Sequence, residues 1–287
     1  MTLSLLLAVL GAAAGYFGAL VGVGGGLLLI PGLVLLFRLD MPTAVATSLV
    51  GVIASSTAAG SAYVGKGLAN MRLGMTLEIS TTVGALTGAL LGTRLNGEVL
   101  AGVFAVLVFV TAGALLRPGR GEHEAAVKGA HEDARGKGWE DSGSLGGGYV
   151  EPRTGETVRY RASRIPLGSA IALTAGVLSG LLGVGGGALK VPAMNLGMRI
   201  PMRVAAATSN FMVGVTAVSS LLVYFARGHV HPAIAAPTGL GVVVGALLGA
   251  RMSGRFRPSV LRRVLAVALL LVGVEMTAHA LGVHLGT

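Results

Sequence analysis

One lysine, Lys190, stands inside the apolar run GALKVP, and two clusters of small polar side chains, Thr47-Ser48 and Thr208-Ser209-Asn210, lie early in other apolar runs. A lysine at the centre of a bilayer costs about 2.5–3.5 kcal/mol on insertion scales. It is kept there for a task, or it snorkels from a short helix to an interface. Ammonium, hydroxyl and amide groups all donate hydrogen bonds, so together they suit an oxyanion. The hydroxyls equally suit capping of backbone and bridging of helices. Backbone supplies a third kind of donor. The motif GVGGG occurs at 22–26 and again at 183–187. Consecutive glycines cover every face of a helix, so they make no interface stripe. They suit a break at which one helix stops and a short one begins, and such a helix start aims N–H groups and a positive dipole end at what lies before it. The candidate substrate-binding residues are therefore Gly24, Gly25, Gly26, Thr47, Ser48, Gly185, Gly186, Gly187, Lys190, Thr208, Ser209 and Asn210.

Other chemistries find little footing. A dinucleotide loop needs a third glycine at a spacing that Gly22-Val23-Gly24 lacks, and neither copy ends in Gly-Lys-Ser/Thr. There are no cysteines, which removes disulfides and thiolate chemistry. No His/Asp/Glu cluster has metal-ligand spacing, and no Ser/His/Asp set is supported. The expectation is a protein that is not an enzyme and holds no metal or cofactor. Glu275 and His279 share a face near the outer end of the last segment and read as an interfacial pair. Glu78, early in the fourth segment, reads as lying near the cytoplasmic interface. His229 and His231 flank a turn.

The elements that position these residues are apolar segments. Hydrophobic residues make up 53% of the 287-residue chain and charged residues only 12%, about half the share of a soluble domain. Mean hydropathy is +0.78. Segments fall at roughly 3–22, 26–38, 42–64, 72–93 and 98–116, then at 166–183, 187–198, 202–226, 233–252 and 258–284. Eight of the ten approach the roughly 20 residues that span a bilayer; 26–38 and 187–198 are too short. The N-terminal run lacks a basic region ahead of it and reads as a retained helix, not a secretion signal.

The two groups of five are an internal repeat. GYFGALVGVGGGLLLIP aligns with GVLSGLLGVGGGALKVP at an offset of 161, Thr47-Ser48 with Thr208-Ser209 at the same offset, and GALTGALLGTR with GVVVGALLGAR at 157. Gly84, Gly88 and Gly92, like Gly241, Gly245 and Gly249, are four apart on one face and predict close helix packing. If the first two segments of each group return the chain to its starting side, ten basic residues fall on the linker side against Arg38, Arg94 and Arg227 on the other. The positive-inside rule then puts 118–164 in the cytoplasm and both termini outside. The fold expected is an all-α polytopic membrane protein with two inverted five-segment repeats and Gly-broken helices, divided as 1–117, 118–164 and 165–287.

The net charge of +10 does not point to nucleic acid. Residues 118–164 carry eight basic and eight acidic residues, and the excess lies at the ends of apolar segments, where it signals topology. This linker reads as a mostly flexible tether, with a small β-hairpin in YVEPRTGETVRYRA. A membrane-embedded scaffold or sensor acting through the linker is the alternative reading to transport.

The GxxGxxxGxGGGxLLxP pattern resembles that of the TauE/SafE family of sulfite and organosulfonate exporters. It is carried by Gly15, Gly18, Gly22, Gly24-Gly25-Gly26 and Pro31, and again by Gly176, Gly183, Gly185-Gly186-Gly187 and Pro192, with an Ala-Thr-Ser block after each. The likeness covers almost all the chain except 118–164. The second copy departs from the first in Ser179, where the first has Gly18, and in Lys190 opposite Leu29. The resemblance implies export of small sulfur-containing anions across the cytoplasmic membrane. The partners expected are a small inorganic or organic anion and the lipid bilayer, with a homo-oligomer left open.

Overall fold

The computed structural model describes residues 2–21, 25–64, 69–116, 145–150, 157–252 and 258–280. The first half runs α1 (Thr2–Val21), a short α2 (Gly26–Pro31) extended by a wider π-type turn over Gly32–Leu36, α3 (Met41–Val64), α4 (Met71–Gly92) and α5 (Gly97–Leu116). A two-stranded hairpin follows, β1 (Gly147–Val150) and β2 (Thr157–Tyr160). The second half repeats the order: α6 (Ile165–Leu182), a short α7 (Gly187–Pro192) with its π-type turn over Ala193–Gly197, α8 (Met202–Ala226), α9 (Pro232–Met252) and α10 (Pro258–Ala280). Even the backbone irregularity recurs, since Arg38 and Arg199, 161 residues apart, both adopt positive φ (52° and 56°) just before the third helix of their half.

The outer surface is as apolar as the interior, unlike that of a soluble bundle. On α4, Met71, Met75, Ile79, Val83, Leu86 and Leu90 form one exposed stripe, while Glu78 and Thr81 are buried. Thr47, Ser48, Thr208, Ser209, Thr216, Ser220 and Lys190 are also buried, among them the candidate hydroxyls. Apolar stripes facing outward are what lipid rewards, and polar groups facing inward are what it enforces. Among the described residues, five helices are long and apolar enough to cross a membrane. Of the other three expected spans, α4 has 22 residues but carries Arg72 and Glu78, and α5 and α10 have 20 and 23. The chain is a helical, multi-pass membrane protein.

The halves are interlocked. The first helix of each packs along the fourth of the other, α1 on α9 and α6 on α4, and α3 packs on α8. Small residues make this possible. A methyl group at Gly84 would strike the carbonyl of Leu173, at Gly88 that of Val177, and at Gly176 and Gly180 those of Thr81 and Ala85. The α1–α9 seam is built the same way, with Gly11 and Gly15 on the carbonyls of Thr238 and Val242, and Gly241 and Gly245 on those of Ala8 and Ala12. The packing expected of both glycine stripes is therefore present. Contacts advance together along both pairs, so α1 runs parallel to α9, and α4 to α6.

The short helices run back along the helices that precede them. Gly25 lies against Ala14 and Gly15, and Gly32 against Leu10, an earlier turn of α1. In the second half Gly186 lies against Ala175, Gly197 against Ile171, and Met198 against Gly168. Each short helix thus pairs with the helix before it as a helical hairpin.

The β-hairpin forms where the alternating stretch predicts it, with Gly147 opposite Tyr160 and Val150 opposite Thr157. Its Pro-Arg-Thr-Gly turn lies outside the described residues, as do 117–144 of the tether. The hairpin is anchored to the bundle. Asn70 caps α4 by accepting the N–H of Leu73 (3.0 Å), and its side-chain amide donates to the carbonyl of Leu145 (3.2 Å) and the hydroxyl of Tyr160 (3.1 Å). Val158, Tyr160 and Ala162 pack with Leu73, Leu77, Met194, Met198 and Met212 in a second apolar core.

Candidate functional site

The second glycine break owes its shape to backbone angles that L side chains avoid. Gly183, Gly185 and Gly186 all have positive φ, between 68° and 80°, which glycine adopts without penalty. The N–H of Gly183 closes α6 on Ser179 (2.8 Å), and the carbonyl of Gly186 receives the N–H groups of Leu189 and Lys190 (3.2 and 3.1 Å), opening α7. The first break is less fully described. Gly24 lies outside the described residues, and Gly25 has a right-handed conformation (φ −57°).

The two breaks meet. A methyl group at Gly26 would come within 2.8 Å of the Gly183 carbonyl, 2.9 Å of Ser48 Oγ and 2.9 Å of Val52. One at Gly185 would come within 2.8 Å of the same Val52 and 2.9 Å of Val213. Ser48 ties the halves together directly, its hydroxyl donating to the Gly183 carbonyl at 2.9 Å. Gly26, Ser48 and Gly185 therefore gather at one place, between α3 and α8, with Gly25 on the side of α1.

Lys190 does not snorkel. It is 2% exposed, and its ammonium donates to Thr216 Oγ1 at 2.7 Å. Thr216 donates in turn to Glu78 Oε1 at 2.7 Å or to the carbonyl of Met212 at 2.8 Å. The ammonium and Glu78 Oε2 stand 4.0 Å apart. Glu78, expected near the cytoplasmic interface, is turned into the bundle: it is 7% exposed and paired with a buried cation. The pair lies beside the break, since a methyl group at Gly186 would sit 3.2 Å from Ser179 Cβ and 3.5 Å from Lys190 Cε. A small cavity with room for about one water adjoins Lys190 and is otherwise lined by Leu77, Gly168, Ala172, Ala193 and three methionines.

Other candidates separate. Thr208 is drawn away, its hydroxyl accepting the N–H of Asn70 (3.0 Å) where α8 meets the start of α4. Asn210 is half-buried, and Gly187 is buried at the first turn of α7. Thr47, Ser209 and Ser179 are buried, and their hydroxyls have no hydrogen-bond partner among the described residues. Buried polar groups without partners are rare and ask for an explanation. Glu275 is exposed, and the side chain of His279 lies outside the described set.

Sequence reasoning missed Thr216 and the role of Glu78. The signal was there. An ionisable residue inside a span faces the bundle and pairs with an opposite charge, and of the acidic residues in the apolar part of the sequence, Asp40, Glu78, Glu98 and Glu275, Glu78 is the one buried among the described residues. The set is not repeated at the symmetry-related positions. By the repeat offsets, its counterparts are Leu29, Ser55 and Ala235, so the charge belongs to one side of the paired breaks.

The sulfite exporter TauE/SafE family model matches residues 7–276. The chain belongs to this family. It is 29% identical over 283 residues to the probable membrane transporter protein YunE of Bacillus subtilis, covering 94% of this chain and 96% of that protein. A probable membrane transporter protein of Xylella fastidiosa is 28% identical, with 96% and 95% covered. The Arabidopsis thaliana sulfite exporter TauE/SafE family protein 1 is 34% identical over 134 residues, 45% of this chain and 29% of that one. No solved structure matches. Fold and relatives agree on a membrane transporter.

Proposed function

We propose that this family member exports small sulfur-containing anions, such as sulfite or organosulfonates, across the cytoplasmic membrane by alternating access between two inverted halves. The hairpin bends support the inversion. With α2 folded back on α1, the first half starts and ends on opposite sides, and the second half enters from the other face. Basic residues then concentrate on the side of the linker, which is cytoplasmic, and both termini are outside.

The substrate is held where the breaks meet, by Lys190, the paired glycines and the hydroxyls of Thr47, Ser209 and Ser179. The observation that carries this reading is the buried Lys190 beside the second break, together with those three buried hydroxyls that lack partners. A fixed cation and spare donors in a low-dielectric interior favour an anion. Inverted repeats with broken helices at a shared site are a known architecture of secondary transporters.

The test is ligand-dependent stabilisation of the purified protein in detergent, with sulfite, sulfate, thiosulfate, sulfoacetate and small carboxylates offered in turn. The reading expects an upward shift in Tm with sulfite or a sulfonate, lost in Lys190→Met. Equal response to every anion, or an undiminished response in the variant, would contradict it.

A further inference from the structure

We propose that Glu78 is a proton-binding site and that one proton crosses with each anion. The proposal rests on the transport reading above and goes beyond it by naming the coupling ion. Glu78 is 7% exposed, and its two oxygens are unequal. Oε1 accepts from Thr216 at 2.7 Å and from Thr82 at 3.4 Å. Oε2 has no hydrogen-bond partner and faces the Lys190 ammonium from 4.0 Å, beyond hydrogen-bond reach. The ammonium spends one of its three donors, on Thr216. Each charge is therefore balanced by the other through space, with groups left over on both.

An anion that takes Lys190 upsets that balance. Two negative groups would share one cation away from water, and an uncompensated buried charge is strongly disfavoured. A proton on Oε2 restores neutrality. It is taken from water on the entry side, forms an O–H bond at the bare oxygen, and returns to water on the exit side as the anion leaves. Thr216 is built for both states. Its single hydrogen has two acceptors, Glu78 Oε1 at 2.7 Å and the Met212 carbonyl at 2.8 Å, so it can turn to Met212 when Glu78 is neutral.

Among the described residues, Lys190 and Glu78 are the buried charged pair at this place. Against α4 pack, among the described residues, α6, whose sequence has no titratable residue, α8, whose Tyr224 sits farther along at Gly92 and whose Arg203 lies near its start, and the β-hairpin, whose Tyr160 meets Asn70 at the start of α4. From α7 the facing group is Lys190 itself. Arg72, on α4, is exposed. The cavity beside Lys190 is lined by apolar residues and has room for about one water.

The experiment uses liposomes holding the full-length protein and a lumenal pH dye, with an inward gradient of isethionate, a sulfonate whose charge is constant across the working pH range, and labelled sulfite as a second probe. The wild type is expected to acidify the lumen as isethionate enters. Glu78→Gln is expected to exchange isethionate without acidification. Isethionate entry in the wild type without acidification would overturn the proposal, as would acidification that persists in Glu78→Gln. Should that variant fail to fold, the wild-type dye trace still decides. If the wild type moves neither isethionate nor sulfite, the transport reading itself falls, a result distinct from uncoupled entry.

Discussion

Ser48 in the first half donates its hydroxyl to the carbonyl of Gly183 in the second, at 2.9 Å and across 135 positions of chain. That bond joins a helix of one repeat to the glycine break of the other. Ser48→Ala leaves the carbonyl with one partner fewer. A net loss of about 0.5–1.5 kcal/mol is expected, read as a lower midpoint of thermal unfolding in detergent, together with slower anion flux.

The meeting of the breaks leaves no space for a methyl group at Gly26, which would lie within 2.9 Å of Ser48, Val52 and the Gly183 carbonyl. Gly26→Ala is expected to cost about 1–3 kcal/mol by overpacking and to abolish flux. Gly113 is the control. It is helical, with nothing within 4 Å of an added methyl group, so Gly113→Ala should raise stability by about 0.5–1 kcal/mol and leave flux intact. Equal effects at the two glycines would refute the close meeting of the breaks. A leucine at Gly25 is a poorer probe, because an added Cβ already stands 3.0 Å from the Ala14 carbonyl.

Lys190 and Glu78 should behave as a unit. Removing one partner of a buried pair costs about 3–5 kcal/mol, while replacing both by apolar or neutral groups is often near neutral. Lys190→Met is therefore expected to unfold more readily than the double variant Lys190→Met/Glu78→Gln. Denaturation of the four species gives the coupling. Additive effects would mean that the two side chains do not sense each other.

Asn70 holds the linker to the bundle through Leu145 and Tyr160 and caps α4 as well. Asn70→Ala should cost about 0.5–2 kcal/mol from the cap alone. It should also speed protease cleavage near β1 and β2. Unchanged cleavage would place the anchor elsewhere, in the apolar contacts of Val158 and Tyr160.

Much of this architecture was legible in the chain. Helix borders follow from apolar runs bounded by Gly, Pro and charge, and α2 and α7 from the repeated GVGGG. The glycine stripes Gly84–Gly92 and Gly241–Gly249 announced close seams, because a small residue every four positions has few other uses in a membrane helix. What they did not announce was the partner. Spacing on one helix cannot say that α4 lies on α6 of the other half, and without that exchange Glu78 looks like an end-of-helix residue. Thr208 shows the converse. It matches Thr47 in the repeat, yet a hydrogen bond from Asn70 recruits it to a helix junction, a tertiary event no local pattern encodes.

The central claim is that an anion is carried through the paired breaks beside Lys190. Flux of labelled sulfite and isethionate into liposomes holding the wild type or Lys190→Ala tests it most directly. The account predicts protein-dependent flux of at least one of them in the wild type and its loss in the variant, with the variant shown to be folded. Flux and affinity unchanged in Lys190→Ala would contradict it.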